Sequence, residues 1–413
     1  MLNFIFSPLK RRSDEIVLLG IACFLFIVAT NTQTGWLFLV DAILVGTLLL
    51  GFISSRLQIR GLKVERTFRD RVYEGENLKV EILLQNTHRW QKHLITVEEK
   101  FPASEKNESK TFLLEKIEGN KTRTISYEEE CFKRGIYSFP PLKLEAGAPL
   151  GFFPFGKTLK KDGELIIFPS GPSIENLPAR STSLYTASQN RPYSTPGQSH
   201  DFLGIRDYQP GEGTRYIHWK ATAKLGKLMV KEFKKLSSRE LTIFIDNSLD
   251  IGKGRETSLE YVVKAAASLS NLSVQQNNYF KLITLDTDKI ITLANPGHLH
   301  CMEWLAGITP TRTKITAETI ASLAREANYK TRLILLLSSP WLDPSWLQPL
   351  NDKRVSVKIF IFDSDSFEEH EEQALAAKRF DYLEERLKKE NTALLRIKKG
   401  DNLKKALVEG LSL

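Results

Sequence analysis

LTIFIDNSLDIGKGRETSLEYVVKAAASLSNLSVQQNNYFKLITLD, residues 241–286, decides the fold of the C-terminal half. A short apolar run ends abruptly in Asp246-Asn247-Ser248. The stretch LEYVVKAAASLSNLSVQQ then has helical composition, and YFKLITLD is a second apolar run. Strand, crossover helix and strand is the unit that builds a parallel sheet, because a parallel neighbour is reached only by a long crossover. The rhythm continues downstream: a strand at KIITLA, helices near 298–306 and 315–327, a strand at TRLILLLSS, a short helix after Pro344 and a strand at VSVKIFIFD. A long amphipathic helix is predicted over 366–391, with Leu375, Ala376, Phe380, Leu383 and Leu387 on its apolar side. A last strand, ALLRIKK, and a last helix, NLKKALVEGL, close the chain. Residues 236–413 therefore read as an α/β (Rossmann-like) domain, and its ligands are expected beyond the C-terminal ends of its strands.

Upstream, residues 59–170 have a different texture. LKVERTF, NLKVEILLQN, HLITVEE, KTFLLEKI, TRTISYEEECF, GIYSFPPLKLEA and ELIIFP are short β-type runs split by turn signals. Leu78, Val80, Ile82 and Leu84 alternate, and about seven such strands predict an antiparallel β-sandwich. Pro140-Pro141 places the neighbouring strand at an edge. His88 and His93 flank Trp90, but without acidic or Cys companions at ligand spacing they read as surface residues.

Residues 1–58 carry the membrane signal. Between Glu15 and Arg56 the sole charge is Asp41, and such a stretch of roughly forty residues supplies two helical spans. Asn31-Thr32-Gln33-Thr34-Gly35 is the expected hairpin tip. Lys10, Arg11 and Arg12 precede the first span, and Arg56, Arg60, Lys63, Arg66, Arg69 and Arg71 follow the second. The positive-inside rule then puts both termini and the soluble domains in the cytoplasm, on the cell inner (cytoplasmic) membrane. A cleaved signal peptide is the competing reading, but no small-x-small cleavage site follows the apolar run. Asp41 is expected to snorkel or pair locally.

The chain is 413 residues long, with 58 Lys plus Arg against 49 Asp plus Glu, hence a net charge of +9. Its composition excludes wholesale disorder and a polytopic transporter. Cys23, Cys131 and Cys301 are too few and too far apart for a disulfide framework or a CxxC zinc site.

Between the two soluble domains lies a crossover segment, 171–235. Its densest part is HDFLGIRDYQPGEGTRYIHWKATAKLGKLMVKEF, residues 200–233. Arg206, Arg215, Lys220, Lys224, Lys227 and Lys231 are interleaved with Phe202, Tyr208, Tyr216, Trp219 and Phe233. That pattern suits a single-stranded nucleic-acid groove. Asp201, Asp207, Glu212 and Glu232 neutralise part of the charge, however. Ile217, Trp219, Leu228 and Val230 read as core anchors, so a structural clamp is expected and no nucleic acid. GEGT lacks the Lys-Ser/Thr of a P-loop. His218, between Ile217 and Trp219, reads as structural rather than as a general base. No HExxH or GxSxG occurs.

This segment resembles the signature of the domain-of-unknown-function 58 family. The match runs through Asp201, Phe202, Gly204, Arg206, Tyr208, Pro210, Gly211, Arg215, Ile217, Trp219, Lys220, Ala223, Lys224, Gly226 and Leu228. Glu212-Gly213 departs from the family's usual Asp plus polar residue. Upstream, RGIYSFPPLKLEAGAPLGFF is similar to the family's RGxY and DPFGLF elements, with Ala148 in place of Asp. The resemblance implies a von Willebrand factor A-like C-terminal domain whose first loop, Asp246-Asn247-Ser248-Leu249-Asp250, is a degraded DxSxS metal loop. Asp246, Ser248 and Asp250 would offer oxygen ligands to Mg2+, with Thr309 or Thr311 from a second loop. Ser338 and Ser339 stand where a complete third loop has Asp, and Asp343 lies further on. The competing reading is a strand-end acid that caps the following helix.

The resemblance also implies a partner, a MoxR-type AAA+ ATPase or its client protein. The expected function is a membrane-anchored adaptor without catalytic activity of its own, with Arg206, Tyr208, Gly211, Arg215, His218, Trp219, Lys220 and Lys224 as interaction residues. The alternatives are an envelope-associated hydrolase or transferase, and a membrane-tethered nucleic-acid binder.

Overall fold

The computed structural model describes residues 8–106, 108–147, 155–159, 163–174, 202–208, 217–233, 240–276, 278–286, 289–327, 330–338, 342–367, 383, 385–387 and 393–412. The chain forms two compact units, residues 1–170 with 302–308, and residues 171–301 with 309–413.

The first unit begins with α1 (Pro8–Thr32) and α2 (Gly35–Ile59). Gln33, at φ 50°, and Thr34 reverse the chain between them, so the predicted tip is a tight two-residue turn. α2 is long and apolar enough to cross a bilayer, whereas the apolar part of α1, Ile16–Thr32, is shorter. Buried Ala22 and Ala29 on α1, and Asp41, Leu48 and Ser55 on α2, recur every seven residues, the stripe expected where two helices pack. Phe24, Ile27, Leu39, Ile43 and Leu50 are exposed. Asp41 departs from the snorkelling expected of it: it is buried, and its Oδ1 has no hydrogen-bond partner. Helix geometry explains this, because position 41 shares a stripe with Leu48 and Ser55.

Among the described residues ten strands follow: β1 (Leu62–Thr67), β2 (Arg71–Tyr73), β3 (Asn77–Asn86), β4 (Lys92–Lys100), β5 (Ser109–Ile117), β6 (Thr122–Glu130), β7 (Gly135–Ser138), β8 (Leu142–Ala146), β9 (Phe155–Leu159) and β10 (Glu164–Phe168). They form three sheets, in orders β1-β3-β6, β5-β4-β8-β9 and β2-β10-β7. Leu78, Val80, Ile82 and Leu84 all point inward, as their alternation predicts, and join Ile95, Val97, Leu144, Leu165 and Ile167 from the other sheets in one core. Of the two strands that flank Pro140-Pro141, β7 is an edge strand and β8, which starts directly after Pro141, lies between β4 and β9. One pairing corrects the all-antiparallel expectation: β10 runs parallel to β2. Those strands are distant in sequence, so the long connection a parallel pair requires exists.

The second unit contains β11 (Phe202–Asp207), α3 (Trp219–Leu225), β12 (Met229–Phe233), β13 (Glu240–Ile245), β14 (Gly252–Lys253), β15 (Glu256–Thr257), α4 (Ser258–Gln275), β16 (Phe280–Asp286) and β17 (Lys289–Ala294). It continues with α5 (His298–Ala306), α6 (Ala317–Glu326), β18 (Thr331–Leu337), a 3₁₀ turn at Pro344–Leu347, α7 (Gln348–Asp352), β19 (Ser356–Phe362), β20 (Ala393–Ile397) and α8 (Leu403–Ser412). The last turn of α5, with Gly307 and Ile308, groups with the first unit.

The main sheet has the order β17-β16-β13-β18-β19-β20. All its pairings are parallel except β16–β17. The sheet is thus mixed rather than parallel, because only two residues separate β16 from β17 and a hairpin admits no parallel neighbour. Most of the predicted 366–391 helix lies outside the described residues, but its Leu383 and Leu387 are buried in the sheet's core.

Candidate functional site

Strand order locates the first candidate site. From β13 the chain moves outward to β16 and then returns to β18 on the other side, so the switch point lies between β13 and β18. Their C-terminal ends are where open α/β sheets bind ligands. β13 delivers Asp246 there and β18 delivers Ser338.

Asp246 is fully buried. Its Oδ1 accepts from the Ser248 amide at 3.0 Å, and its Oδ2 accepts from the Ser338 amide and hydroxyl, both at 2.9 Å. Burial pushes the carboxyl up from its ordinary range, and the donors from Ser248 and Ser338 oppose that shift. Asn247 ties the same region together. Its side-chain amide donates to the Leu285 carbonyl at 3.0 Å and to the Thr309 carbonyl at 2.9 Å, and its own carbonyl accepts from the Thr311 amide at 3.0 Å. Two buried oxygens remain without hydrogen-bond partners, Asn247 Oδ1 and Thr311 Oγ1. A cavity of about 40 Å³ adjoins Asp246 and Ser248, lined also by Leu249, Lys314, Ile315, Leu337 and Leu342.

Of the four expected metal ligands, the structure brings Asp246 and Ser248 together at this cavity. Asp250 and Thr309 are exposed, and Thr311 is the half-buried threonine of the second loop. Asp343 is a cap: its Oδ1 accepts from the Ser345 amide at 2.9 Å, and those bonds hold its carboxyl below the ordinary range. Ser339 lies outside the described residues. The donor set does not fit a resident Mg2+. The one carboxylate at the cavity already receives three hydrogen bonds, and Lys314 lines the same wall. Among the described residues no three His, Cys, Asp or Glu side chains converge.

The second candidate is the 202–233 segment. β11 and β12 pair antiparallel, and α3 lies between them in sequence. The Tyr208 amide donates to the Leu228 carbonyl at 2.9 Å, and the His218 amide to the Met229 carbonyl at 2.8 Å. His218 is the N-cap of α3, its Nδ1 accepting from the Ala221 amide at 3.1 Å. That bond satisfies one of the free amides at the start of the helix. Gly226 ends the helix at φ 69°, a left-handed cap that glycine adopts without strain.

Two expected core anchors are buried, Ile217 and Val230. The other two are not: Trp219 is 66% exposed and Leu228 is 44% exposed. The reason is local. α3 is two turns long and none of its residues is buried, so Trp219, Lys220, Lys224 and Leu225 all face outward. Lys227 pairs with Asp207 at 2.9 Å. Gly211, Arg215 and the Arg206 side chain lie outside the described residues.

Two functional positions escaped the sequence reading. Asn247, between Asp246 and Ser248, is buried, and nothing in its local sequence marks its amide for the Leu285 and Thr309 carbonyls. Arg134 stands between two of the short β-type runs. It is buried, and its Nη1 donates to the carbonyls of Leu305, Ala306 and Ile308 at 3.0, 3.2 and 2.9 Å, satisfying the C-terminal end of α5.

The family model described as "Protein of unknown function DUF58" matches residues 204–368, which contain the first candidate site and all but the first two residues of the second. A Bacillus subtilis (strain 168) protein named "Uncharacterized protein YeaD" is 23% identical over 208 residues, 50% of this chain and 50% of that one, so the chain spans about half the length of the curated relative it matches. Among solved structures, a CARDB domain from Pyrococcus furiosus is 11% identical, covering 26% of this chain and 91% of that chain at a TM-score of 0.18. The sporulation control protein Spo0M from Bacillus subtilis is 9% identical, covering 26% and 50% at a TM-score of 0.16. Scores that low carry no argument about the fold.

Proposed function

We propose that this chain is a membrane-anchored scaffold or adaptor, without catalytic activity of its own, that works with a MoxR-type AAA+ ATPase in the assembly, maturation or remodelling of other protein complexes. In this reading α1 and α2 both span the inner membrane with their outer ends joined by the Gln33 turn, and both soluble units are cytoplasmic. β1–β10 form a β-sandwich, and the six-stranded sheet with its helices is a von Willebrand factor A-like domain.

One observation carries the reading. The segment with the most distinctive sequence presents Trp219 and Leu225, beside Lys220 and Lys224, to the outside, while the acid at the sheet's switch point is buried and holds three hydrogen bonds. An exposed tryptophan is the residue type most often found at the centre of a protein-binding hot spot, and a buried carboxylate committed to three hydrogen bonds is poorly placed to act on a substrate. The test is capture of a purified MoxR-type ATPase by the full chain in mild detergent. Trp219→Ala is expected to weaken recovery at least tenfold, and Lys220→Glu with Lys224→Glu to do the same, all without lowering the melting temperature. Undiminished recovery by all three substitutions would overturn the assignment of this surface.

A further inference from the structure

The end of α2 is not a free linker. Lys92 Nζ donates to the Leu57 carbonyl, and the His93 amide donates to Gln58 Oε1 at 2.9 Å. The Thr87 amide and hydroxyl donate to the Gly61 carbonyl at 2.9 and 2.7 Å. His88 presses so closely on Gly61 that an added Cβ would lie 1.9 Å from the imidazole Cδ2. The Arg56 guanidinium sits 3.7 Å over the Phe52 ring and 5.0 Å from that of Phe155 in β9. Residues 87–93 are thereby fixed against the stretch Leu57–Gly61, the last three residues of α2 and the two after it, whose helical part rises about 3 Å along the helix axis. The polar zone on each side of a bilayer is about 5–8 Å deep. If α2 spans, this loop lies in that zone.

Its surface chemistry matches the zone. Trp90 is 80% exposed. Leu94 is exposed as well, at φ 50°, and it breaks the in–out alternation of β4, where His93 and Leu94 both face outward. A leucine held in the left-handed region to face water is unfavourable on both counts, unless water is not what covers it. Arg89, in the same loop, and Arg60 and Phe155, at the end of α2 and beside Arg56, are exposed as well. Tryptophan with basic residues is the composition that settles at headgroup depth.

We infer that this face of the first unit, centred on Trp90 and Leu94, lies on the bilayer and contacts anionic headgroups, making the unit a surface-docked platform rather than a tethered one. The inference rests on the spanning reading of α2. The occupant is lipid because the face is continuous with the anchor and carries its charge complement.

The test uses the full chain in nanodiscs of phosphatidylcholine with or without phosphatidylglycerol. The Trp90 signal is isolated as the fluorescence difference between wild type and Trp90→Phe. At so exposed a position the substitution leaves folding unchanged. The expected result is at least twofold stronger quenching of that component by headgroup-spin-labelled lipid than by an unlabelled control, with shielding from aqueous iodide that deepens when phosphatidylglycerol is present. A Trp90 component open to iodide and blind to the labelled lipid overturns the inference while leaving the anchor intact. A component that becomes shielded only on addition of a partner protein assigns the face to protein and overturns it equally. Failure of the chain to enter discs at all removes the anchor, and the inference with it.

Discussion

Replacing Asp246 separates a structural strand-end acid from a metal ligand. In Asp246→Ala three hydrogen bonds disappear, two of them from backbone amides, at 3.0 Å from Ser248 and 2.9 Å from Ser338. The Ser338 hydroxyl can rotate to another acceptor, but the two amides remain buried in place. An orphaned buried donor costs about 1–3 kcal/mol, so the pair costs about 4 kcal/mol. Asp246→Asn keeps one acceptor oxygen. Turned toward Ser338 it serves both of that residue's donors and leaves only the Ser248 amide facing an NH2, a loss of about 2 kcal/mol. At about 2–4 °C per kcal/mol for a unit of this size, the melting temperature falls by roughly 8–16 °C for Ala and about half that for Asn. The assay is thermal unfolding of the full chain in detergent by circular dichroism, with and without EDTA. The ordering wild type, Asn, Ala is expected, and the chelator is expected to shift none of them. An Ala variant within about 2 °C of wild type refutes the hydrogen-bond accounting. A wild type that drops to the Ala value in EDTA refutes the structural assignment in favour of a bound ion.

Arg134→Ala strips three carbonyls at the end of α5 of their donor. It should destabilise the first unit by about 3 kcal/mol and accelerate amide hydrogen exchange over 298–308, with Arg134→Lys intermediate; unchanged exchange there would contradict the clamp. Lys358 is half-buried near Arg332, and burial pushes its ammonium down to about 8. Its folded value lies below the unfolded one near 10.4, so the folded state binds fewer protons in that window. The stability linked to Lys358 is present above the unfolded value and is lost as pH falls through about 8. Melting temperature is therefore expected to rise between pH 8 and 10 more steeply in wild type than in Lys358→Met, and equal slopes would show that Lys358 does not titrate in that window.

Periodic features were legible and singular contacts were not. The alternation of Leu78 through Leu84, and the apolar runs ending at Ile245 and Leu337, fix strands because burial is a property of the pattern. Trp219 was misplaced because hydrophobicity alone does not distinguish a side chain with a core to enter from one on a two-turn helix too short to form one. Asn247 and Arg134 were invisible for the opposite reason. Each acts by meeting carbonyls distant in sequence, Leu285 and Thr309 for one and Leu305 to Ile308 for the other, and no local spacing encodes such a meeting. The candidate metal loop was half legible. Residue types placed Asp246 and Ser248 at the right strand end, but only the three-dimensional partners revealed that Ser338 saturates the acid.

The placement of basic side chains also bears on the nucleic-acid reading of the +9 charge. A groove for single-stranded nucleic acid needs cations facing solvent along a track. Arg66 is instead buried against Glu99 at 2.9 Å and lies 4.5 Å over the Phe139 ring. Arg134 serves the end of α5. Lys353 donates to the carbonyls of Ala324, Arg325 and Ala327 at 2.6, 3.3 and 3.4 Å where α6 ends, and Lys358 donates to those of Gly410 and Leu411 at 3.0 and 2.7 Å where α8 ends. A helix C-terminus carries about half a negative charge on its last carbonyls, so three helix ends each hold a fixed cation. Four basic residues from both units are thereby committed to the fold, and none of them can be surrendered to a phosphate without exposing a carbonyl or a carboxylate. The exposed Arg60 caps α2 and the exposed Arg89 lies in the loop bonded to its end, where an anionic bilayer surface is the charge they would meet.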